Sequence, residues 1–259
     1  MFKTIFFSSE NGLATITLNR PEVFHALNVT LLSELAEAFH LAGNDATVRV
    51  IVLTATGDKA FCSGADLKDT SSFPTSLGAR LQESYEPVIK AMRSIQKPII
   101  CKLNGVAAGA GFSIALASDI IIAQEDAYLS LLFVGIGLMP DAGANFFMPR
   151  IVGPKKAFEL ASTGRKVMMD EALQLGIVNK VVPFEQLAAT VDELVTYYKN
   201  APTVAIGYIK AVMNDSYNSS LDEVLTQEAK HQDLLGITHD FAEGVMAFIQ
   251  KRVAKFKGK

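Results

Sequence analysis

Residues 104–149 read NGVAAGAGFSIALASDIIIAQEDAYLSLLFVGIGLMPDAGANFFMP, and the rest of the chain is organised around them. The stretch begins with a turn rich in Gly and Ala and ends with a second turn, Pro-Asp-Ala-Gly at 140–143; each turn lies between apolar segments. Small residues at 107–111 allow another group to approach the backbone closely. We predict that the first turn holds an oxyanion and that the second, through Asp141, carries a base.

The first turn does not follow either of the common nucleotide-binding patterns. No Gly-Lys-Ser/Thr follows its glycines, as a Walker loop requires, and Gly109 and Gly111 are followed by Phe-Ser-Ile, which does not complete G-x-G-x-x-G. Nucleotide binding through those motifs is therefore not expected. The remaining use of the turn is to expose one N–H group at the start of a helix, as an oxyanion donor.

A second loop, AFCSGADLK at 60–68, follows the continuously apolar run 48–54, which predicts a strand buried on both faces. Gly64 allows an unusual backbone angle, and N–H groups in such a turn can face a developing negative oxygen. The simpler interpretation is a strand-to-helix connection in which Asp66 is a helix cap. Composition alone favours the simpler interpretation.

Asp141 stands before Ala-Gly and a predicted helix that runs to Met148. A helix N-cap is a common role for aspartate, and the local pattern favours cap and base equally. Apolar residues flank Asp141 on both sides, so its carboxylate, if desolvated, would have a raised pKa and would be a better base near neutral pH. The pH–rate profiles of the wild type and Asp141→Asn test this hypothesis.

Composition predicts a soluble protein in a reducing compartment. The 259 residues, 49% of them hydrophobic, are enough for a sizeable core, and a net charge of −3 gives no reason to expect nucleic acid as a partner. Cys62 and Cys101 stand among apolar residues, which predicts buried thiols and a cytoplasmic location. No signal peptide is recognised, and no segment has the roughly 20 apolar residues of a membrane span, so no membrane association is expected.

Strand and helix patterns alternate to about residue 182, and mostly helical patterns follow. Asn11-Gly12 predicts a β-hairpin, Asn28 predicts a helix cap, and Ser220 with Glu223 predicts a capping box. This order implies an α/β fold of layered βα units with a helical extension.

The histidines and the basic C-terminus have simple interpretations. None of the four histidines has metal-ligand spacing, so no metal site is predicted. His25 precedes the first predicted helix and could contact a substrate, but a solvated surface histidine is the favoured interpretation. The basic segment 251–259 is by default a solvated tail, and the sharper interpretation is a contact with phosphates of a small anionic ligand.

The chain resembles the crotonase (enoyl-CoA hydratase/isomerase) superfamily over nearly its whole length. The motifs that carry the resemblance are specific in combination and in order: NGLATITLNRPEVFHALN, VIVLTATGDKAFCSGADLKD, KPIICKLNGVAAGAGFSIALASDIIIA, GIGLMPDAGANFFMPRIVG, EALQLGIVNKVV and EGVMAFIQKRVAKFKGK. The resemblance is closest to the ring-1,2-epoxyphenylacetyl-CoA isomerase and Δ3,Δ2-enoyl-CoA isomerase branches, and VAAGAG, IGLMPDAG and EGVMAFIQKR make the first of these the closer match.

The resemblance implies a crotonase-type spiral of ββα units over 1–195 and a C-terminal helical trimerisation region over 196–259, in a homotrimer or a dimer of trimers. It implies an acyl-CoA thioester as substrate, with coenzyme A as part of the substrate and no separate cofactor. The family's oxyanion hole maps onto the N–H groups of Ala65 and Ala110. Phe248 and Lys251 would reach coenzyme A from their own or a neighbouring subunit. The full set implied to bind coenzyme A is Val23, His25, Ala26, Ser63, Ala65, Asp66, Leu67, Lys68, Phe248 and Lys251.

Two departures from the family pattern argue for isomerisation. Hydratases of this family hold and activate water with two glutamates, and this chain has Ser113 and Phe133 at those positions; neither can act as a general base. Asp141 matches the Pro-Asp/Glu of the isomerase branches. The expected mechanism is proton transfer by Asp141 between two carbons of the acyl chain, through an enolate held by Ala65 and Ala110.

Other reactions stay open on the sequence. Hydration or another crotonase reaction (dehalogenation, hydrolysis or decarboxylation) is the alternative among enzymes, and a non-catalytic acyl-CoA-binding protein is the alternative of another class. Acyl specificity is expected from residues 71–95 and 145–147. Ala144-Asn145 replaces the usual Gly-Gly/Ser-Thr of the isomerases there, which could reshape the acyl pocket.

Overall fold

Two β-sheets form the centre of the structure, a computed structural model that describes residues 2–69 and 76–259. The strands, in chain order, are β1 (Ile5–Glu10), β2 (Leu13–Leu18), β3 (Val50–Ala55), β4 (Ala60–Cys62), β5 (Ile99–Leu103), β6 (Val106–Ala108), β7 (Ile120–Gln124), β8 (Tyr128–Ser130), β9 (Val167–Met168) and β10 (Lys180–Val182). The larger sheet has the order β1-β2-β3-β5-β7-β10 and the smaller one β4-β6-β8-β9. The pairs β3–β4, β5–β6 and β7–β8 each add one strand to each sheet, which is the predicted spiral.

Local sequence explains the pairing of β1 with β2 and the burial of β3 in the larger sheet. Asn11 and Gly12 have φ angles of 52° and 82°, so the predicted hairpin turn forms and β1 pairs antiparallel with β2. β3 is buried at every residue, as its continuous apolar run predicts, and it pairs in parallel with β2 and β5.

Helices cover the sheets and form the C-terminal part of the chain. They are α1 (Val29–Asn44), α2 (Leu77–Arg80), α3 (Glu86–Ser94), α4 (Ala110–Leu116), α5 (Ala144–Val152), α6 (Pro154–Thr163), α7 (Met169–Gln174), α8 (Phe184–Lys199), α9 (Thr203–Asp215), α10 (Leu221–Gly236) and α11 (His239–Ile249). The predicted caps are confirmed: Asn28 accepts a hydrogen bond from the N–H of Leu31, and Ser220 and Glu223 form the capping box.

The region 71–95, from which acyl specificity is expected, contains an irregular helical turn. Between α2 and α3, Leu81–Tyr85 form a π-helical turn, in which the N–H of Glu86 donates to the carbonyl of Leu81. Residues 70–75, on which part of that prediction falls, lie outside the described residues. The π turn matters for the site because it sets which side chains of this region share a face.

The core lies on both faces of the larger sheet. Its main cluster joins the sheets to α1, α3 and α4, and a second cluster packs α8 against β3, β5 and β7 on the opposite face. The predicted domain boundary at residue 195 therefore falls inside a helix that is part of the sheet's packing. Among the described residues, no helix is long and apolar enough to cross a bilayer.

The C-terminus folds back on α11, which differs from the expected solvated tail. The N–H groups of Lys257 and Gly258 donate to the buried carboxylate of Asp240 at 2.6 and 2.7 Å. Arg252 pairs with Glu243 at 2.6 Å. Carboxylates at one helix face thus hold the basic segment against the protein.

Candidate active site

The two glycine-containing turns predicted from the sequence contact each other directly. A Cβ atom on Gly64, whose φ is +96°, would lie 2.9 Å from the carbonyl oxygen of Ala108. A Cβ atom on Gly111 would lie 2.5 Å from the carbonyl oxygen of Cys62. Only glycine permits this approach, and it places the start of α4 beside the loop 60–68.

This packing leaves two backbone N–H groups unused. The bridge between Leu27 and Ala65 is closed by Leu27 N–H to Gly64 O (2.8 Å) and Asp66 N–H to Leu27 O (2.9 Å), so the N–H of Ala65 takes no part in it. Ala110 begins α4, and its N–H has no intrahelical partner. Across residues 2–69 and 76–259, neither N–H has an acceptor. Both are available to a ligand oxygen.

The turn that carries Asp141 has a left-handed backbone. Ala142 and Gly143 have φ angles of 48° and 85°, and the N–H of Ala144 donates to the carbonyl of Asp141 at 3.0 Å. Gly143, not Asp141, is the N-cap of α5, and no side chain of the described part of the chain caps that helix. The cap interpretation of Asp141 is therefore wrong. Asn145 Nδ2 donates to the carbonyl of Pro140 at 2.5 Å and closes the turn.

The carboxylate of Asp141 is largely removed from water and lacks a partner. Its Oδ1 is buried without a hydrogen-bond partner among the described residues. Burial raises the pKa of Asp141 from 3.8 to about 6. A carboxyl group in this state is ionised at neutral pH, and it is a stronger base than an exposed aspartate.

Tyr85, at the end of the π turn, lies within electrostatic range of Asp141 and of the loop 60–68. Its side chain is buried, and its pKa is raised by that burial; the charge of Arg80 opposes the rise, and those of Asp141, Cys62 and Asp66 add to it. One phenol thus lies within electrostatic reach of the candidate base and of the loop that presents Ala65.

The two positions at which the family resemblance places the glutamates of hydratases carry Ser113 and Phe133, and both side chains are buried. Ser113 is fully buried, and its hydroxyl donates to the carbonyl of Gly109 within α4 at 3.4 Å. Phe133 is buried, and its ring end lies 4.0 Å from the position that a Cβ on Gly109 would take. An apolar ring therefore lies beside the N–H of Ala110.

A family model described as "Enoyl-CoA hydratase/isomerase" matches residues 8–259. The chain belongs to the enoyl-CoA hydratase/isomerase family.

Relatives within the family match the whole chain, and some are named isomerases while others are named hydratases. The chain is 37% identical to the 1,2-epoxyphenylacetyl-CoA isomerase of Escherichia coli K12, over 100% of both chains. It is 39% identical to a protein of Rhodobacter capsulatus named "Probable enoyl-CoA hydratase", over 100% of this chain and 99% of that one. The crystal structure of an enoyl-CoA hydratase from Bacillus anthracis, 30% identical, superposes with a TM-score of 0.91 over 99% of this chain and 100% of that one.

Most residues implied to bind coenzyme A in this family lie together. Ser63 N–H donates to Phe24 O at 3.0 Å, its hydroxyl donates to Val23 O at 3.3 Å, and Arg20 pairs with Asp66 at 2.9 Å. These bonds join the segment before α1 to the loop 60–68. The members of the predicted set that lie on these two segments are Val23, His25, Ala26, Ser63, Ala65, Asp66, Leu67 and Lys68.

His25 corrects the sequence interpretation, because it is buried and not a solvated surface residue. Its side chain is 2% exposed; Nδ1 accepts from the N–H of Arg20 at 3.1 Å, and Nε2 lies 3.0 Å from the carbonyl of Thr56. Burial lowers its pKa, which favours the neutral imidazole. The ring therefore fixes the backbone next to Ala26. The cap interpretation of Asp66 also needs correction: Oδ1 accepts from Lys68 N–H at 3.1 Å in a local turn, and residues 67–69 are not helical.

Phe248 and Lys251 are not brought to this loop by the contacts of one chain. Phe248 lies at the end of α11 and is 86% exposed; Lys251 follows in a left-handed conformation. No hydrogen bond within the described ranges joins either residue to the loop 60–68.

Sequence reasoning missed Arg20, Arg80 and Tyr85. Arg20 stands in the motif LNRPEVF, but its partner Asp66 is 46 residues away. Arg80 and Tyr85 lie in a helical region whose π turn has no sequence signal. Their spacing of five residues, read on an ordinary helix, does not place them on one face.

Proposed function

We propose that this family member is an acyl-CoA isomerase that shifts a double bond in an enoyl-CoA thioester, with Asp141 as the acid and base. The observation that carries the proposal is the carboxylate of Asp141, which is buried, has a raised pKa and has one oxygen without a partner among the described residues. The N–H groups of Ala65 and Ala110, which have no acceptor within residues 2–69 and 76–259, complete what the reaction needs.

The first step is polarisation of the thioester. Its carbonyl oxygen accepts hydrogen bonds from the N–H groups of Ala65 and Ala110, which stabilise the negative charge that develops when a neighbouring carbon loses a proton. In other enzymes one such donor contributes about 3 kcal/mol to the transition state. The close packing at Gly64 and Gly111 holds both donors rigidly, so no reorganisation is required during the reaction.

Asp141 then moves the proton. Its ionised carboxylate takes a proton from the acyl chain, the electron pair delocalises toward the thioester oxygen, and a dienolate forms. The same carboxyl group returns the proton to a different carbon, which moves the double bond and restores the carboxylate. One base suffices, since no water is consumed.

Hydration is disfavoured by the same geometry. Water addition in this family needs a pair of glutamates, and Ser113 and Phe133 supply neither a carboxylate nor a polar surface. A ring-epoxide rearrangement, suggested by the name of the Escherichia coli relative, would use the same oxyanion donors and base.

The proposal includes assembly as a homotrimer or a dimer of trimers in the cytoplasm. Its support is the exposed position of Phe248 and Lys251, which would contact coenzyme A bound to a neighbouring subunit. Light scattering of the purified protein measures the mass directly. A monomer that turns over substrate with full activity would refute this part of the proposal.

A panel of thioesters tests the reaction. We expect 3-enoyl-CoA to be converted to its conjugated 2-enoyl isomer, with an absorbance rise and no change in mass, and crotonyl-CoA to gain no water. The rate should fall as the pH drops below about 6, because Asp141 must be ionised. Hydration of crotonyl-CoA that is faster than isomerisation would overturn the proposal. Stoichiometric coenzyme A binding without turnover of any thioester would indicate a non-catalytic protein.

A further inference from the structure

Two peptide units connect the guanidinium of Arg20 with the N–H of Ala65. Arg20 Nη1 donates to the carbonyl of Ala26. The N–H of that same peptide unit, which belongs to Leu27, donates to the carbonyl of Gly64 at 2.8 Å. The N–H of this second peptide unit is that of Ala65, which has no acceptor within residues 2–69 and 76–259. The bonds therefore form a continuous chain from a cation to a candidate oxyanion donor.

The planar peptide gives this chain a direction. In a trans peptide the C=O and N–H groups point in opposite directions. The bond that Gly64 O accepts from Leu27 therefore turns the N–H of Ala65 away from Leu27. The bridge between Leu27 and Ala65 is isolated, so a strand ladder does not set this direction. The bond from Arg20 to the preceding carbonyl fixes the peptide unit of Leu27 in turn.

The charge at the start of the chain also strengthens the donor at its end. Hydrogen bonds in series polarise one another, most strongly where the local dielectric is low. A guanidinium that donates to a carbonyl draws electron density toward itself along the peptide, so the N–H group at the other end becomes a stronger donor. A negative oxygen at Ala65 would thus be stabilised by a cation two peptide units away.

The second donor is supported without a charged side chain. The peptide unit of the Ala110 N–H includes the carbonyl of Gly109, which accepts from the N–H groups of Phe112 and Ser113 at 3.0 and 3.2 Å. The backbone of α4 therefore holds the N–H of Ala110. A change at Arg20 should consequently affect one of the two donors.

The surroundings of Arg20 hold its side chain in place. Nη2 donates to Asp66 Oδ2 at 2.9 Å, and the two side chains are 16% and 11% exposed. The N–H of Arg20 donates to His25 Nδ1 at 3.1 Å, and the N–H of His25 donates to the carbonyl of Arg20 at 2.8 Å. A planar fork that serves two acceptors at once is a property of arginine that lysine lacks.

We propose that Arg20 is a positioning residue of the oxyanion site, which aims and polarises the N–H of Ala65 toward the thioester oxygen through two peptide units. The inference deepens the proposed function and rests on it for the placement of the thioester carbonyl. In this role Arg20 acts through the backbone of Leu27 and Ala65.

The test measures the carbonyl stretching frequency of bound hexanoyl-CoA by infrared difference spectroscopy, with an isotope label at the thioester carbonyl. Hexanoyl-CoA has no double bond, so the measurement does not depend on isomerisation, and at saturation it does not depend on affinity. The wild type should lower the frequency relative to the unbound thioester. Arg20→Met should lose about half of this lowering, because one of two donors is weakened.

Further variants separate the chain of bonds from the ion pair and from a general loss of stability. Arg20→Lys keeps the charge without the fork and should restore part of the lowering. Asp66→Asn leaves the donor to Ala26 in place and should lose less of the lowering than Arg20→Met. Arg165→Met removes an arginine that pairs with Glu171 at 2.7 Å, outside this chain of bonds, and should keep the wild-type frequency. Thermal unfolding sets a measuring temperature at which each variant is folded, and Arg20→Lys replaces Arg20→Met in the comparison if the latter does not fold.

Kinetics give a second readout. In Arg20→Met, kcat for hex-3-enoyl-CoA should fall by about tenfold or more while KM stays within about threefold, because the donor acts on charge that develops in the transition state. The fall in kcat should follow the loss of the frequency shift in Arg20→Met and Arg20→Lys.

Three results would overturn the inference. They are a wild type that does not lower the carbonyl frequency, an Arg20→Met variant that keeps the full lowering, and an Arg20→Met variant whose loss is matched by Asp66→Asn or Arg165→Met. The last result would assign the effect to the ion pair or to general stability. Failure of the isomerase proposal has a separate signature, since it would appear as absent turnover of hex-3-enoyl-CoA by the wild type while the lowering and its dependence on Arg20 remain.

Discussion

Asp66 and Asp141 are two aspartates near the same phenol, that of Tyr85, and the structure treats them in opposite ways. Asp66 accepts from Arg20 at 2.9 Å and from the N–H of Lys68 at 3.1 Å. Asp141 has an oxygen with no partner among the described residues, and its pKa is raised to about 6 by burial. Residue type therefore does not separate a scaffold carboxylate from the proposed base, whereas the groups around each carboxylate do.

The largest effect should come from Asp141→Asn. The amide keeps the shape of the side chain but cannot accept the proton, so kcat/KM for a 3-enoyl-CoA should fall by about a thousandfold or more. Stopped-flow absorbance at saturating and at limiting substrate concentrations measures this fall in kcat/KM. Asp126→Asn, at an exposed carboxylate outside the site, should keep the wild-type rate. Equal rates for wild type and Asp141→Asn would remove the distinction between the two aspartates.

The partner of Asp66 gives the next largest effect. Arg20→Met would leave the buried carboxylate unpaired and would also remove the bond from Arg20 to Ala26 O, so the free energy of unfolding should fall by about 3 kcal/mol. Urea denaturation with a two-state fit measures this change. Lys90→Met breaks an exposed pair with Glu86 and should cost less than about 0.5 kcal/mol. Equal losses in the two variants would contradict the scaffold role.

The same comparison shows what the sequence could and could not predict. Helix and strand signals are local: the side chain of Asn28 binds an N–H three residues away, and the burial of β3 follows from its own apolar run. The helices and strands were therefore predictable from local patterns, and the fold was predictable through the family motifs. The surroundings of a single side chain are not local. His25 is buried because the carbonyl of Thr56, 31 residues away, satisfies its ring, and no pattern near His25 indicates that contact.

The candidate site also contains features that local sequence patterns predict and features that they do not. Asp141, Ala65 and Ala110 were assigned through the family resemblance, while the local pattern left Asp141 undecided between cap and base. The left-handed turn at Ala142 and Gly143 decides against the cap, and it depends on packing that a sequence window does not contain. Arg80 and Tyr85 were missed because a π turn changes which residues share a face.

The pH dependence of stability should identify Asp141, because stability falls as the pH rises through the titration of its carboxyl group. The folded-state pKa of about 6 lies above the ordinary value of 3.8, so the native state binds the proton more tightly than the unfolded chain, and wild-type stability falls as the pH rises through this window. The Asp141→Asn variant has an amide that does not ionise, so it lacks this loss of stability. It should be more stable than the wild type by about 1–2 kcal/mol at pH 7, a value that allows for partial solvent screening.

The control for this experiment is the pH dependence itself. At about pH 3 and below the wild-type carboxyl group is largely protonated in both states, so the advantage of Asp141→Asn should vanish there. Thermal or urea unfolding at several pH values traces the difference. An advantage that is constant from pH 4 to pH 7 would show that Asp141 is not desolvated in the folded protein.

The smallest effect should follow from Asn145→Ala. Asn145 replaces a small residue of the isomerase pattern, and its amide donates to the carbonyl of Pro140. Loss of one partly exposed hydrogen bond should cost about 1 kcal/mol of unfolding free energy and less than about tenfold in kcat. Gly143→Ala in the same turn should be worse, because φ is +85° and the new Cβ would lie 2.8 Å from the ring of Phe147. If Asn145→Ala instead changes acyl specificity with unchanged stability, the residue belongs to the pocket and the turn is held by its backbone alone.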